Sequence, residues 1–345
     1  MKVGILGATG NVGQRFIQLL DGHEWFEVGD LTASESSAGK RYADAANWQL
    51  DTPMPDEVKD VEVGSTEPES VSDKIELVFS ALPSSVAKEV EPEFADSGYT
   101  VASNAGWARM EDDVPLLIPE VNPEHISLLE LQKEKRGWAG GIIKNPNCSA
   151  ITMTPTLAAL QDLGLEEVHV ATLQAVSGAG YTGVKSMEII DNVLPYIGGE
   201  EGKMETEPNK MMGEFTGAGI EEADVDISAT CNRVPTIDGH LENVWCKFED
   251  DVSVEDVEEA FDEFPTLELP SAPEETIVVR ESSDRPQPRL DRNEGDGMSI
   301  VVGRIREDHD GIKFSCLAHN TIRGAAGASL LNAELIAEEL LEVRA

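Results

Sequence analysis

A glycine-rich turn within the first thirteen residues most strongly constrains the fold. Lys2–Gly7 is a short apolar run typical of a β-strand, and Gln14–Leu20 has helical spacing. The GxxGxxG pattern between them lets the backbone approach a pyrophosphate at a helix N-terminus, where N–H groups and the positive end of the helix dipole are available. The sequence therefore predicts dinucleotide binding. The residues expected at the dinucleotide are Gly7, Thr9, Gly10, Asn11 and Val12.

Strands and helices alternate over the first part of the chain. Phe26–Ala33, Glu76–Leu82 and Thr100–Ser103 have strand patterns, and Ala87–Gly98 has a helical pattern. Such alternation is typical of a doubly wound parallel sheet with helices on both faces. The sequence predicts an α/β protein with an N-terminal Rossmann-type domain that extends to about Asn147.

The middle of the chain has a different pattern, with several β-branched strands close together. These segments predict a second, α+β domain with a large, mostly antiparallel sheet. The strand segments are Val168–Val176, Ile227–Val234, Asn243–Phe248, Thr276–Arg280, Ser299–Arg306 and Ile312–Ala318. Ser253–Phe264 has a helix-capping start, Ser282–Gly297 has a loop composition, and Gly324–Val343 is helical. We expect residues 1–147 with 320–345 to form the Rossmann domain and residues 148–319 to form the catalytic and oligomerisation domain.

The residues after the second predicted strand favour NADP over NAD. NAD sites usually place an acidic residue there for the ribose 2′-hydroxyl. Here the hydroxyls of Ser34 and Ser37 and the charge of Lys40 suit a 2′-phosphate, although Glu35 would repel a phosphate unless it pointed away.

One of the four cysteines stands in a context that favours reactivity. Cys148 lies in an NPNC loop between a predicted strand and a predicted helix, and a helix N-terminus favours the thiolate form. Cys231, Cys246 and Cys316 lie in apolar strand-like runs and are expected to be core residues. No CxxC pair is present, and the spacings predict no metal site.

A nucleophilic cysteine beside a nicotinamide indicates a specific chemistry. A thiolate attacks an aldehyde, hydride leaves to NADP⁺, and the resulting thioester is resolved by phosphate or coenzyme A. The protons require an acid/base group, for which histidine is the usual choice. The chain has six histidines, and composition does not distinguish His240 from the others.

Together these motifs resemble those of aspartate-semialdehyde dehydrogenases of the archaeal and fungal branch. The similarity covers nearly the whole chain, and NPNC, QAVSGAG and RVPxxxGH in this order are its most specific part. The matching stretches are GILGATGNVG, SAGKRYADA, SALPSSVA, GWAGGIIKNPNCSA, LQAVSGAGYTGV, NVLPYIGGEEGKM, NRVPTIDGHLE and HNTIRGAAG.

The resemblance implies NADPH-dependent reduction of L-aspartyl 4-phosphate to aspartate 4-semialdehyde with release of inorganic phosphate, on the route to lysine, threonine and methionine. It implies Cys148 as the nucleophile, His240 as the acid/base and Gln174 as the residue that orients the substrate. The implied substrate ligands are Arg233 for the α-carboxylate, Glu200 for the amino group, and Lys203, Arg109 and nearby Asn104 for the phosphate. The remaining cofactor contacts that we expect are Ser80, Leu82, Pro83, Ser177, Gly178 and Asn320.

The sequence leaves several points open. Glu201 is an alternative to Glu200, and Asn147 with the Cys148 N–H is a possible oxyanion site. Ser36 stands where relatives often have an arginine, which leaves NAD as a weaker alternative cofactor. Malonyl- or succinyl-CoA reductase is the alternative activity on the same scaffold. N-acetyl-glutamyl-phosphate reductase and a catalytically silent NADP-binding regulator fit less well.

The charge balance excludes two classes of partner. The 345 residues include 66 Asp and Glu against 26 Lys and Arg, a formal net charge of −40. Such a chain does not suit nucleic acid or anionic membranes, which attract basic patches. The acidic residues are dispersed, which suits a salt-rich cytoplasm where their repulsion is screened. With the resemblance, we expect a cytoplasmic homodimer or homotetramer from a halophilic archaeon.

Overall fold

The structure is a computed structural model that describes residues 1–180 and 183–344. Within these ranges, no helix has both the length and the apolar character needed to cross a membrane. Two six-stranded sheets organise the fold, together with one small two-stranded sheet.

The first sheet is the parallel sheet that the sequence predicts. Its strand order is β3-β2-β1-β4-β5-β6, and every pairing is parallel. The strands are β1 (Lys2–Leu6), β2 (Glu27–Ala33), β3 (Val63–Ser65), β4 (Leu77–Ser80), β5 (Thr100–Ser103) and β6 (Gly141–Lys144). Strand β3 was not predicted, because three residues are too few to show a periodicity. The order reverses between β1 and β4, which is where ligands bind in such sheets.

Helices cover both faces of this sheet, including one from the far end of the chain. The helices within the first half are α1 (Asn11–Leu20), α2 (Tyr42–Ala45), α3 (Asp56–Lys59), α4 (Ser84–Asp96) and α5 (Leu128–Arg136). A π-helical turn, Ile322–Ala326, leads into the last helix, Gly327–Arg344. Leu330 and Ala333 of this last helix join the core around Val3 and Phe16.

The second sheet is mixed. Its order is β10-β7-β11-β14-β13-β12, with three antiparallel pairings in the centre and one parallel pairing at each edge. The strands are β7 (Leu165–Gln174), β10 (Asp226–Arg233), β11 (His240–Phe248), β12 (Ile277–Arg280), β13 (Ile300–Asp308) and β14 (Gly311–Ala318). A short hairpin comprises β8 (Glu214–Phe215) and β9 (Ile220–Glu221).

Helices cover one face of the mixed sheet, and β11 shows how its strands meet them. The even-numbered residues from His240 to Phe248 are buried, whereas the odd-numbered ones are more exposed. The helices that follow β6 are α6 (Ala150–Leu160), α7 (Ser186–Ile189), α8 (Glu200–Met211), α9 (Val254–Asp262) and α10 (Pro288–Asp291). The last helix, α11 (Gly327–Arg344), is the one that packs on the parallel sheet. The predicted cap of α9 is confirmed, since Ser253 and Asp256 form a reciprocal capping box.

Helix α8 and the segment Ser282–Gly297 also differ from the sequence expectation. Helix α8 was not predicted, because its many charges and an internal proline, Pro208, obscure the helical pattern. The segment Ser282–Gly297, predicted as a loop, contains the single turn of α10.

A buried ion pair joins the C-terminal part of the chain to the first domain. Arg323 donates to both carboxylate oxygens of Glu120 at 2.6 and 3.1 Å, and both side chains are at most 1% exposed. Removing one partner of such a pair leaves an uncompensated buried charge.

We therefore expect Glu120→Gln to lower the free energy of unfolding by about 3 kcal/mol. Urea denaturation at constant salt measures the effect. Glu130→Gln is the matched control, because Glu130 pairs with Lys133 on the surface and its loss should change stability by at most about 0.5 kcal/mol. Equal stability losses in the two variants would show that the buried pair contributes no more than the surface pair, contrary to this expectation.

Candidate active site

Many of the predicted site residues lie around one crevice between the two sheets, at the carboxyl ends of the parallel strands. A cavity of about 740 Å³ lies there. The predicted residues that line it are Asn11, Val12, Asn104, Arg109, Cys148, Ser177, Gly178, Glu200, Lys203, Arg233 and Asn320. Loops of both domains therefore contribute to one site, although they are far apart in the sequence.

The glycine turn has the geometry that a dinucleotide requires. Gly7 has a φ of +80°, and a Cβ on Gly13 would lie 2.4 Å from the Gly7 carbonyl oxygen. No side chain of a described residue caps the N-terminus of α1 at Gly10, which leaves the first N–H groups of the helix available to an anion. Thr9 lies in the same turn and is half-buried. The residues present therefore fit a pyrophosphate.

The other predicted cofactor residues lie at the same edge of the sheet. Ser80 ends β4 and is fully buried, and its hydroxyl has no hydrogen-bond partner among the described residues. Leu82 and Pro83 follow it, and the Leu82 side chain lies 3.3 Å from the position of a Cβ on Gly7. These residues therefore lie next to the glycine turn, at the point where the strand order reverses, and outside the lining of the cavity.

The residues expected at a 2′-phosphate lie after β2, outside the lining of the cavity. Ser34 and Lys40 are exposed and Ser37 is half-buried. The Ser37 N–H donates to the Ser34 carbonyl at 2.8 Å, which folds the segment into a turn. This exposed turn has hydroxyls and one cation available to an anion.

Cys148 and His240 are in contact. The Cys148 Sγ lies 3.3 Å from the His240 Nε2. The Ala175 N–H donates to His240 Nδ1 at 3.1 Å, so the neutral ring carries its proton on Nε2, facing the sulfur. Gly324 allows this approach, since a Cβ there would lie 2.8 Å from the Cys148 Cβ.

Asn147 lines the cavity and bonds to two helices. Its Oδ1 accepts the N–H groups of Ser149 and Ala150 at 2.9 and 3.1 Å, which caps α6. Its Nδ2 donates to Glu200 at 2.9 Å. The side chain expected at an oxyanion site therefore holds the start of α6 in place and links it to α8.

Burial dominates the electrostatics of the Cys148–His240 pair. Burial, and then the Glu200 carboxylate, raise the pKa of Cys148 to about 12, against the opposing effect of the nearby cations. Burial, and then Arg233, lower the pKa of His240 to about 3. The expected thiolate is therefore not the form that this environment favours, and at neutral pH the pair is a thiol beside a neutral imidazole.

Glu200 connects several predicted residues. Its Oε1 accepts from Asn147 and from Gln174 Nε2 at 3.0 Å, and its Oε2 accepts from Lys203 at 3.0 Å. Burial opposes ionisation, but Lys203 and the donors outweigh it, so the pKa of Glu200 lies below its ordinary value. Gln174 is fully buried behind the cavity. Glu201 does not line the cavity; its carboxylate accepts from the Cys231 N–H.

The three cations of the site differ in their pairing. Arg109 is paired with Glu207 at 3.0 Å, and Lys203 with Glu200. The Arg233 guanidinium donates to the Ala175 carbonyl at 2.7 Å and forms no ion pair with a described residue. Arg233 is therefore the site cation with the most uncompensated charge.

Asn320 connects the two loops beside the Cys148–His240 pair. Its Nδ2 donates to Ser177 Oγ at 2.8 Å, and its Oδ1 accepts from the Gly239 N–H at 2.8 Å. Gly178 lies beside it, and a Cβ there would be 2.8 Å from Arg233 Nη1 and 3.3 Å from the His240 ring. Glycine is thus needed where the loop crosses the site.

Comparisons with known proteins agree with this geometry. Residues 2–129 match the semialdehyde dehydrogenase NAD binding domain, and residues 157–323 match the semialdehyde dehydrogenase dimerisation domain. The aspartate-semialdehyde dehydrogenase of Archaeoglobus fulgidus is 56% identical over 98% of both chains. That of Methanothermobacter thermautotrophicus is 53% identical over 99% of this chain and 100% of its own. The chain belongs to the aspartate-semialdehyde dehydrogenase family.

A solved structure extends the match to three dimensions. The aspartate-semialdehyde dehydrogenase from Candida albicans, solved with NADP, superimposes with a TM-score of 0.89 at 42% identity, over 97% of this chain and 98% of that one. As a member of this family of oxidoreductases, the chain has the fold that the sequence predicted. These matches give no support to the CoA reductase alternative.

Two residues that hold segments of the site were not predicted from the sequence. Glu207 and Lys210 are both nearly fully buried on α8. Glu207 accepts from Arg109 and from the Asn147 N–H, and Lys210 donates to three backbone carbonyls of the 109–114 segment. Their spacing from Glu200, at i+7 and i+10, is the signal that would have found them once α8 was recognised as a helix.

The high pKa of Cys148 predicts how its alkylation depends on pH. Only the thiolate reacts, so the rate with iodoacetamide should rise about tenfold per pH unit between about pH 7 and pH 10, without a plateau. His240 should add no inflection near pH 6.5, because its pKa is about 3. Mass spectrometry of labelled protein measures the rate.

Cys148→Ser is the control for this labelling, since the other three cysteines are buried. A rate that levels off near neutral pH would show that Cys148 is already a thiolate there, and would contradict a pair of neutral thiol and neutral imidazole.

Proposed function

We propose that this protein reduces L-aspartyl 4-phosphate to aspartate 4-semialdehyde with NADPH, releasing inorganic phosphate, in the biosynthesis of lysine, threonine and methionine. The observation that carries the proposal is the contact between the Cys148 thiol and the His240 imidazole, at 3.3 Å, in a crevice whose opposite wall is the glycine turn. A catalytically silent NADP-binding protein would not need this pair.

The first step forms a thioester on Cys148. The sulfur attacks the acyl carbon, the bond from that carbon to the phosphate oxygen breaks, and the thiol proton leaves with the phosphate. The cations around Cys148 favour the developing negative charge on sulfur, since Arg109, Arg233 and Lys203 all act to lower its pKa. An anionic substrate thus meets a site in which these cations are held close to the nucleophile.

The substrate's charged groups have matching partners in the cavity. Arg233, which has no carboxylate partner among the described residues, takes the α-carboxylate through its planar fork. Glu200 takes the ammonium group. Lys203 and Arg109 take the phosphate, with Asn104, whose buried Nδ2 has no hydrogen-bond partner within the described ranges. Gln174 holds the Glu200 carboxylate in place from below the cavity.

The second step returns the sulfur to its starting state. NADPH, when bound at the glycine turn, supplies the hydride that reduces the thioester. His240 directs its Nε2–H toward the sulfur and the substrate oxygen, where negative charge develops. When the C–S bond breaks and the aldehyde leaves, that N–H stabilises the departing thiolate, and a proton taken up from solvent restores the thiol. The Ala175 contact thus favours His240 as a hydrogen-bond donor to the developing negative charge, a part of the predicted acid/base role in which it keeps its proton.

The reverse reaction tests this function. Purified protein in about 2 M KCl, given aspartate semialdehyde, phosphate and NADP⁺, should form NADPH, and NAD⁺ should be used less well. Cys148→Ser should lose at least about 1000-fold in kcat while NADP⁺ binding, measured by calorimetry, is unchanged. Cys231→Ser is the control and should keep its activity, since Cys231 is buried in the mixed sheet. Absence of NADPH formation by the unaltered protein would disprove the proposed activity.

We further propose that the protein comes from a halophilic archaeon. The net charge of −40 supports this origin, and the few cations of the chain are partly withdrawn from the surface. Among the residues whose side chains the structure describes, five of these cations are buried, namely Arg109, Lys144, Lys210, Arg233 and Arg323. The surface is therefore strongly acidic, and its self-repulsion needs screening by salt.

Salt should accordingly raise both activity and thermal stability. At molar salt the Debye length is about 3 Å, against about 10 Å at 0.1 M, so repulsion between surface carboxylates is largely removed. We expect activity and Tm to increase from about 0.1 M to about 2 M KCl. Full activity and stability in dilute buffer would contradict a halophilic origin.

Three further proposals concern organisation and location. We propose that residues 1–147 with 320–345 form one domain and 148–319 the other, because α11 packs into the core of the parallel sheet.

A homodimer or homotetramer is supported by the match to a dimerisation domain, and sedimentation equilibrium would distinguish either from a 37.3 kDa monomer. A cytoplasmic location agrees with four unpaired cysteines, and fractionation of the source cells would test it.

A further inference from the structure

One face of α8 carries four charged residues that all contact the site or its loops. Glu200, Lys203, Glu207 and Lys210 follow at spacings of three, four and three residues, which places them on the same side of a helix. Two of them, Glu200 and Lys203, line the cavity. The other two lie deeper, where they hold the segments that carry Arg109 and Cys148.

Glu207 uses its two carboxylate oxygens on two different segments. Its Oε1 accepts from Arg109 Nη1 at 3.0 Å, and its Oε2 accepts from the Asn147 N–H at 2.6 Å. Asn147 directly precedes Cys148, whereas Arg109 follows β5 in the other wall of the cavity. A single buried side chain thereby connects the nucleophile's loop to the loop of a cation.

We propose that Glu207 is a positioning residue that sets the Arg109 guanidinium relative to the Cys148 sulfur, through its shared contact with Arg109 and the Asn147 N–H. The inference rests on the proposed function, in which Arg109 binds the phosphate. It assigns to Glu207 no contact with substrate or cofactor.

The remaining donors of Arg109 support this role. Arg109 Nη1 uses one of its two hydrogens on Glu207, and Nη2 uses one on the Asn104 carbonyl at 2.9 Å. Each keeps a second hydrogen, and the buried Nε has no partner in the part of the chain that the structure describes. The guanidinium is thus fixed from one side by protein acceptors and retains donors in a planar array that suits a phosphate.

The backbone of the same loop is also held from α8. The Lys210 ammonium group donates to the carbonyls of Arg109, Glu111 and Val114 at 2.7, 2.8 and 2.9 Å. Ala108 has a φ of +61°, a conformation that a non-glycine residue keeps where its surroundings enforce it. The loop therefore has one defined position, and Glu207 fixes the side chain that extends from it.

Stability alone does not account for the arrangement. Burying an ion pair costs desolvation that its attraction often only balances. A carboxylate that accepts hydrogen bonds from two separate donors instead fixes the position of one donor relative to the other. Positional errors of about 1 Å at such a site can lower rates by about 100-fold.

The test is steady-state kinetics of the full-length protein in the phosphate-dependent direction at high salt. In Glu207→Gln the new amide nitrogen must face one of two donors, so one contact is lost. We expect the KM for phosphate to rise about tenfold or more and kcat to fall, with the KM for NADP⁺ within about twofold of its original value.

Glu205→Gln is the matched control. Glu205 lies on the same helix and accepts from the Ala229 N–H of β10 at 3.2 Å, outside the cavity. Its change removes the same charge, and both KM values should stay within about twofold. If Glu207 were merely structural, Glu207→Gln would lose stability or active fraction with an unchanged KM for phosphate, and that result would overturn the inference.

Two further variants keep the outcomes distinct. Glu207→Asp replaces Glu207→Gln if that variant fails to fold. The aspartate keeps the charge but is one methylene too short to span both donors, so it should still raise the KM for phosphate. An unchanged KM for phosphate in Glu207→Asp overturns the inference. Arg109→Ala should raise this KM as well, and if it does not, the phosphate role of Arg109 fails and the inference with it. Failure of the proposed function is different, because the unaltered protein would then form no NADPH.

Discussion

The two carboxylates buried at this crevice each find hydrogen-bond partners for both oxygens within the protein, and these bonds determine much of the geometry of the site. Glu200 accepts from Asn147, Gln174 and Lys203, and Glu207 accepts from Arg109 and the Asn147 N–H. Each carboxylate therefore ties together segments from both domains. The position of the nucleophile's loop follows from these bonds, because unpaired buried charges are costly.

The same low-polarity environment determines the ionisation of the reacting pair. Desolvation opposes charge on both Cys148 and His240, which raises one pKa and lowers the other. In this setting a helix N-terminus is not enough to hold a thiolate. In the proposed mechanism, charge develops on sulfur only while the anionic substrate, three cations and the Nε2–H of His240 surround it. The site thus stabilises negative charge that develops on the Cys148 sulfur during the reaction more than a thiolate that exists before substrate binds.

Much of the architecture was predictable from local pattern. The glycine turn, the alternation of strands and helices, and the β-branched segments of the second domain each reflect interactions within a few residues, and all are found in the structure. Two elements were not predicted because their local sequence patterns are weak. The three residues of β3 are too few to show a period, and α8 carries Pro208 and many charges, so its stability comes from packing against α6 and β10.

Many residues at the crevice were likewise predicted from the sequence, because the motifs containing Cys148, His240 and Arg233 carry distinctive residue types in a specific order. The sequence by itself determined the chemical groups available, namely a thiol, an imidazole, three cations and a glycine-rich turn before a helix. What only the tertiary structure decided was which groups share partners: that Glu200 and not Glu201 lines the cavity, that Asn147 caps α6, and that Glu207 joins Arg109 to the loop of Cys148. The physical reason is that these contacts join residues tens of positions apart, and burial, which sets their pairing and their pKa values, exists only once both domains have folded.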